Sequence, residues 1–153
     1  MPQVSLRRRA RSPEIAQEIV ARMMEAHDYR VMPVGLSGYL IPAAVLPDLL
    51  RFMPDQLVWK PNRPAYLVDV KSTMDGGAKI KLRALSAYQE WQRLTGLEVH
   101  LLLWSYATGR LYAARLDDIN ADLAQYEVGR FHDSGDDFVV VPLPAAAVDL
   151  NTW

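Results

Sequence analysis

The chain has 153 residues, half of them hydrophobic, which is enough to bury the core of one compact domain. Its 17 basic and 18 acidic side chains nearly cancel, so any affinity for a polyanion must come from local clusters of charge. There is no cysteine, and the three histidines (His27, His100 and His132) lie far apart, which excludes disulfides and thiolate zinc sites and argues against a structural zinc ion.

The amino-terminal region joins a basic cluster to a helix start. The cluster comprises Arg7, Arg8, Arg9 and Arg11. Ser12-Pro13-Glu14 follows, with an N-cap serine, a proline at the first helical position and an acid in the first turn. We therefore predict a helix from residue 12 to about residue 27 or 28. Helical spacing predicts a core-facing stripe of Ile15, Ile19, Met23 and Ala26, with Val20 beside it.

The next segments predict a β-hairpin. A short edge strand at 29–34 and a flexible loop at 35–38 precede residues 41–52, where Pro42 and Pro47 interrupt an apolar run. A short helix or an irregular crossing are both open for that run. Two strands are predicted at 56–60 and 65–71, joined by the turn Pro61-Asn62-Arg63-Pro64.

A second helix and further strands complete the predicted order. Gly76-Gly77 indicates a loop, and residues 79–94 predict a helix with one face formed by Leu82, Leu85, Tyr88 or Gln89, and Trp91. Strands are predicted at 97–104, 110–116 and 138–141, with a short helix at 117–126. The Ala- and Pro-rich tail is expected to be loosely ordered. The expected fold class is α/β, with a central sheet flanked by helices.

The predicted hairpin brings two acids and a lysine to one of its ends. Asp55 and Asp69 are separated by thirteen residues, nearly all of which belong to the two arms and the turn. Side chains alternate along a strand, so Asp69 and Lys71 point the same way and Val70 points to the opposite face. We therefore expect Asp55, Asp69 and Lys71 to converge on one point.

This convergence predicts a metal-dependent hydrolytic site. Two neighbouring carboxylates repel each other, and a divalent cation with oxygen preference reverses the sign of that interaction. Magnesium held by one or two carboxylates keeps several waters, and an acidified water can attack a phosphodiester. Lys71 would orient that water or stabilise the developing charge.

The arrangement resembles the PD-(D/E)XK nuclease superfamily. The motif reads Pro54-Asp55, thirteen residues, then Asp69-Val70-Lys71, and it includes the literal proline before the first acid. The order of helix, motif hairpin, helix and strand over residues 12–104 also matches the family core, most like archaeal-type Holliday junction resolvases or RecB-like phage nucleases. The resemblance implies a restriction-endonuclease-like core with a mixed sheet, in which Asp55, Asp69 and the Val70 carbonyl ligate Mg²⁺ or Mn²⁺ and Lys71 acts on the water.

Two assignments stay open within this resemblance. It implies a catalytic glutamate on the first helix, for which Glu18 is the first choice and Glu14 the second. Pro47-Asp48 is another Pro-Asp pair, so Asp48 is an alternative to Asp55, although twenty intervening residues are long for one hairpin. The acid before the lysine is Asp, where Glu is commoner in the family.

Basic and polar side chains around the motif are candidate DNA contacts. The arginine cluster lies before the first helix, and further cations follow the motif strand at a predicted helix start. Cations at the amino end of a helix are unfavourable to its dipole, which indicates that they are there to bind a ligand. The candidates are Arg7, Arg8, Arg9, Arg11, Lys79, Lys81, Arg83 and Gln89.

The sequence therefore predicts one nuclease domain over residues 1–153, with a basic arm at 1–11, the core at 12–104 and an accessory hairpin, helix and tail at 105–153. The expected activity is Mg²⁺-dependent hydrolysis of DNA by a structure-selective, Holliday junction resolvase-like endonuclease that acts as a homodimer. A RecB-like exonuclease and a non-catalytic nucleic-acid-binding protein are the alternatives. No apolar run is long enough to span a bilayer, so no membrane partner and a cytoplasmic location, in a bacterium or a phage-infected cell, are expected.

Overall fold

The computed structural model describes residues 13–35, 46–74 and 76–153. The predicted basic arm, most of the 35–38 loop and the first part of the 41–52 segment lie outside these ranges. Within the described ranges, every helix is too short or too polar to cross a lipid bilayer.

Helices and strands are interspersed along the described chain. In chain order they are α1 (Pro13–Glu25), β1 (Arg30–Pro33), α2 (Asp48–Arg51), β2 (Gln56–Trp59), β3 (Tyr66–Thr73), β4 (Gly77–Lys81), α3 (Leu82–Thr95), β5 (Val99–Ser105), β6 (Arg110–Arg115), α4 (Leu116–Ala121), β7 (Glu127–Arg130) and β8 (Asp137–Pro142). A short 3-10 turn, Leu123–Gln125, follows α4.

The strands form two sheets. The larger sheet has the order β1-β2-β3-β5-β6, and only the β3–β5 pair of this sheet is parallel. Parallel neighbours require a crossover connection, which β4 and α3 provide. The smaller antiparallel sheet has the order β4-β8-β7. The motif strand β3 is therefore central in a mixed sheet.

Hydrophobic clusters cover both faces of the larger sheet. On one face α3, α4 and the smaller sheet pack against alternate residues of β3 and β5, including Leu67, Leu101 and Leu103. On the other face α1 packs against Val68, Val70 and Leu102. Since residues i and i+2 of a strand share a face, this division places Asp69 on the α3 side of the sheet.

The α/β class, the motif hairpin and the buried strand after the second helix are confirmed. The edge strand at 29–34 corresponds to β1, and the 41–52 segment contains the short helix α2. The core-facing stripe predicted for the first helix is displaced by one residue from the observed stripe. The fully buried residues of the helix are Ala16, Val20 and Met24. Both sets have helical spacing, and the small Ala16 contributes little to an apolar pattern.

The helix predicted at 79–94 begins later than expected. Residues Gly77–Lys81 form strand β4, and the helix occupies Leu82–Thr95. The predicted Gly76-Gly77 loop therefore ends in a strand. Ala78 and Ile80 are buried and Lys79 between them is exposed, which is the two-residue period of a strand. Pairing with β8, some sixty positions away in sequence, overrides the helical pattern of the following residues.

The carboxyl-terminal tail is ordered against the core, contrary to expectation. Leu150 is buried in the α1-side cluster, and the Val148 N–H donates a hydrogen bond to the Leu111 carbonyl at 2.8 Å. The Trp153 ring lies 5.2 Å from the ring of Tyr66 and 5.2 Å from that of His100. Burial of these apolar groups offsets the entropy cost of ordering the tail. Strand β7 was not predicted, because Glu127–Arg130 contains a single large apolar residue.

Candidate active site

The pairing of β2 with β3 places Asp55 beside Asp69. The register pairs Gln56 with Val68 and Leu57 with Leu67, so the next pair outward is Asp55 with Asp69. Directly opposed residues of antiparallel strands have Cβ atoms about 5 Å apart. The Val70 N–H also donates a hydrogen bond to Asp55 Oδ2 at 2.8 Å, which fixes the Asp55 carboxylate against the motif strand.

Asp69 and Lys71 lie on one face of β3, as strand alternation predicts. Lys71 Nζ lies 2.6 Å from Asp69 Oδ2. The Asp69 side chain is 4% exposed and that of Lys71 is 33% exposed, so the pair connects a buried acid to the surface. Asp69 Oδ2 accepts no hydrogen bond of good geometry from the described residues despite this short contact. The buried carboxylate therefore retains capacity for another electropositive partner.

The two acids destabilise each other's charge. Burial and the negative charge of Asp69 raise the pKa of Asp55 to about 7, against the opposing effects of the Lys71 charge and the Val70 hydrogen bond. Burial lowers the pKa of Lys71, but the charge and hydrogen bond of Asp69 and the charge of Asp55 together outweigh it and raise that pKa above its ordinary value. Lys71 is therefore protonated at neutral pH, while Asp55 is about half protonated near pH 7.

Tyr88 of α3 completes the buried side of the site. Its hydroxyl approaches Asp69, and burial together with the charge of Asp69 raises the pKa of the phenol well above its ordinary value. The phenol therefore stays neutral and can donate to the carboxylate. The helical pattern predicted that either Tyr88 or Gln89 faces the core, and it assigned no role to Tyr88. A tyrosine at a core position is the available signal, because a buried hydroxyl requires a polar partner.

The residues at this point fit a divalent cation such as Mg²⁺. Asp55 and Asp69 supply hard oxygen donors whose mutual repulsion a cation would reverse. Among the described residues, no group of three or more His, Cys, Asp or Glu side chains is placed to hold a metal ion. Two carboxylates nevertheless suit an ion that keeps several waters in its coordination shell.

The two glutamates proposed from helix α1 lie beside this point without joining it. Glu14, Glu18 and Asp55 line one open cleft of about 390 Å³. Glu18 is exposed and pairs with Arg22 on its own helix. The alternative acid, Asp48, begins α2 and pairs with Arg83, so the acid beside Asp69 is Asp55.

The candidate DNA contacts have different surroundings. Residues 7–11 are outside the described ranges. Lys79 and Gln89 are exposed. Lys81 pairs with Asp136, and Arg83 pairs with both Asp136 and Asp48. The two latter cations are therefore already engaged by acids of the same chain.

Comparisons with known proteins identify the fold. No protein-family model matches the chain, and no curated protein matches it in sequence. Among solved structures, the Holliday junction resolvase Hjc from Archaeoglobus fulgidus aligns over 84% of this chain and 83% of its own, with 10% identity and a TM-score of 0.55. A nuclease from a fusselovirus aligns over 86% and 77%, with 10% identity and a TM-score of 0.46.

These findings define the fold of the chain. The chain has the restriction-endonuclease-like fold, with a central mixed sheet flanked by helices. The resemblance to PD-(D/E)XK nucleases that the motif predicts is confirmed at the level of the fold. At 10% identity the likeness shows the fold, and activity and substrate have to be argued from the residues of the site.

Proposed function

We propose that the protein is a metal-dependent deoxyribonuclease that hydrolyses DNA phosphodiester bonds. The observation that carries the proposal is the meeting of Asp55, immediately before β2, with Asp69 and Lys71 of β3, with the Asp69 carboxylate nearly fully buried and the lysine partly exposed. A buried acid pair costs stability, so its retention beside a lysine favours a catalytic role over a structural one.

Each residue has a distinct role in this proposal. Asp55, Asp69 and the Val70 carbonyl would hold Mg²⁺ or Mn²⁺, which when bound supplies charge neutralisation and an acidified water. Lys71, protonated and partly exposed, donates to the water or to the phosphate oxygens. Tyr88 positions Asp69 from the buried side. A glutamate of α1, Glu18 or Glu14, assists from the neighbouring cleft.

The substrate that we propose is branched DNA, cleaved by a homodimer. The support is the fold shared with an archaeal Holliday junction resolvase at a TM-score of 0.55. Two-fold symmetry would present two identical sites to a symmetric junction. A DNA exonuclease is the alternative that the same assay separates.

The direct test compares four-way-junction, linear duplex and single-stranded DNA, each with Mg²⁺ or with chelator. We expect cleavage only with the ion. Replacing Lys71 by Met removes a donor at the reacting atoms and should slow cleavage by about 10²- to 10⁴-fold. Asp69→Asn should abolish detectable cleavage because it removes a metal ligand. Asp122→Asn, an exposed acid outside the site, is the control and should cleave at the wild-type rate.

Cleavage that persists in chelator, or in purified Asp69→Asn, would contradict the mechanism. Internal cuts on closed circular or junction substrates identify an endonuclease, whereas release of mononucleotides from ends identifies the exonuclease. DNA binding without cleavage of any substrate would favour the non-catalytic alternative.

A further inference from the structure

Three cations lie close together where strand β4 passes into helix α3. Lys79 and Lys81 are on the same face of β4, and Arg83 is in the first turn of α3. Lys79 Nζ lies 5.0 Å from the centre of the Phe138 ring, and Lys81 Nζ lies 5.6 Å from that of Phe131. Positive side chains at the amino end of a helix add to the positive end of its dipole. This group is called the α3-start cluster below.

An acid from the β7–β8 turn occupies the α3-start cluster. Asp136 Oδ2 lies 2.7 Å from Lys81 Nζ, and Asp136 Oδ1 lies 2.9 Å from an Arg83 guanidinium nitrogen. One carboxylate thus bridges two cations through both its oxygens, and its side chain is only 9% exposed. The helix also lacks a side-chain cap at Lys81, and two acids lie at this helix end: Asp136, and Asp48, which accepts from Nε and Nη2 of Arg83.

The bridging carboxylate has the chemistry of a phosphate group. Arginine and lysine that bind two oxygens of a carboxylate can bind two oxygens of a phosphate in the same way, and a helix amino terminus favours either anion. The bridge anchors the turn in addition to two backbone hydrogen bonds. The Phe131 N–H donates to the Asp136 carbonyl at 2.9 Å, and the Gly135 N–H donates to the Phe131 carbonyl at 2.8 Å.

The α3-start cluster adjoins the candidate active site through two elements. Helix α3 begins at this cluster and presents Tyr88 to Asp69 six residues after Leu82, about 9 Å along the helix axis. Helix α2, whose Asp48 pairs with Arg83, leads into Asp55 after a three-residue connection, and the Trp91 indole N–H donates to the Leu49 carbonyl at 2.8 Å.

We propose that the α3-start cluster binds a backbone phosphate of the DNA substrate and that Asp136 covers it in the free protein as an internal substitute for that phosphate. The inference rests on the proposed nuclease function and adds a masked phosphate contact to it. DNA binding then exchanges one anion for another and releases Asp136 to solvent. Lys81 and Nη1 of Arg83 contribute to affinity only after the exchange, while Nε and Nη2 of Arg83 stay with Asp48.

The test measures DNA affinity of Asp136→Asn by fluorescence anisotropy, with labelled junction and duplex DNA in chelator so that nothing is cleaved. Asp137→Asn is the matched control: it is the adjacent residue, changes net charge equally, and pairs with the exposed Arg130. We expect Asp136→Asn to bind about 5- to 10-fold more tightly than Asp137→Asn. Its logarithmic salt dependence should stay within about one counterion of the control's, because both complexes make the same phosphate contacts after the exchange.

A second substitution tests the exchange itself. Lys81→Met should weaken binding more in the Asp136→Asn background than in the wild type, where Asp136 already occupies the lysine. Equal affinities of Asp136→Asn and Asp137→Asn, within about twofold, would overturn the inference and identify Asp136 as a structural staple only. If the wild type cleaves DNA in that case, the proposed nuclease function stands. Tighter binding by Asp136→Asn without any cleavage would keep the phosphate contact and remove the catalytic proposal.

Hydrogen exchange on the wild-type protein decides the question should Asp136→Asn not fold. Release of Asp136 predicts faster exchange of the amides at 131–137 when junction DNA is added. Unchanged or slower exchange in that segment would overturn the inference.

Discussion

Asp55 and Asp69 face each other at the end of a hairpin with a single lysine to offset two negative charges. The lysine pairs with the buried Asp69, while Asp55 relies on the Val70 amide. Protonation of Asp55 therefore relieves the repulsion in the metal-free protein, which is the physical meaning of a pKa near 7. A cation at the same point would relieve it without a proton, so proton and metal compete for this site.

This competition predicts how stability depends on pH. The folded-state pKa of Asp55 lies above the value of about 3.9 for an unfolded chain. Its contribution to stability is therefore fully present below about pH 4 and is lost as pH rises through about 7. Mg²⁺ binds the ionised form, so we expect it to raise the melting temperature clearly at about pH 9 and little at about pH 5.

Thermal melts of the wild type and Asp55→Asn, with Mg²⁺ and with chelator, measure this effect. Asp55→Asn has no proton to lose, so its melting temperature should vary less with pH between about 4 and 8 and should not respond to Mg²⁺. Asp122→Asn should behave like the wild type. An equal Mg²⁺ effect at both pH values would show that the proton and the ion do not compete for Asp55.

At the scale of elements, local patterns were sufficient for two of the three described pairs of consecutive strands joined by short turns, and missed β7 of the third. The hairpin β2–β3 and the antiparallel pair β5–β6 are both joined by short turns, and both were predicted. Strand β4 was not, because its partner β8 is distant in sequence and its residues join the helix without a break. Alternation over five residues is too brief to outweigh the helical pattern that follows.

The face of helix α1 offers a matched test at this scale. Met24 is fully buried between α1 and the sheet, whereas its neighbour Met23 is partly buried. Met24→Ala should lower the free energy of unfolding by about 2–5 kcal/mol, because it leaves a cavity in a closed interface. Met23→Ala should cost less than half as much.

Urea unfolding of both variants measures the difference, provided that the slope of free energy against urea is unchanged. A larger loss for Met23→Ala would mean that the helix is rotated toward the stripe first predicted from sequence. The two substitutions remove the same atoms, so side-chain entropy and helix propensity cancel in the comparison.

At the scale of the whole molecule, the tail ties together parts of the larger sheet that are far apart. Its hydrogen bonds reach Leu111 in β6 and Lys60 at the end of β2, the latter with a distance of 3.1 Å from Lys60 Nζ to the Leu150 carbonyl. The Tyr29 hydroxyl donates to the Trp153 carbonyl. The tail therefore bridges strands near opposite edges of the sheet that holds the candidate active site.

The tail residue that we expect to matter most for stability is Leu150. Its side chain is 3% exposed within the α1-side cluster, so Leu150→Ala should cost about 2–5 kcal/mol of unfolding free energy. Asn151→Ala, an exposed neighbour, should change stability by less than about 0.5 kcal/mol. Urea unfolding compares the two, and equal stabilities would mean that the tail adds no packing energy.

The convergence of Asp55, Asp69 and Lys71 could be predicted because the three residues belong to one hairpin, where spacing and alternation determine position. Tyr88 and Asp136 could not be assigned in the same way. Tyr88 reaches Asp69 through the packing of α3, and Asp136 reaches Arg83 across fifty-three positions. Contacts of this kind depend on the complete tertiary arrangement, which local sequence patterns do not predict.

The hydrogen bond from the Val70 amide to the Asp55 carboxylate has one further consequence. The resonance of an amide proton depends on the charge of the oxygen that accepts it, so the Val70 signal in an NMR spectrum follows the ionisation state of Asp55. A titration across about pH 7, or the addition of a cation, would shift this one resonance in the unsubstituted protein. The motif strand thus contains its own spectroscopic reporter of events at the acid pair.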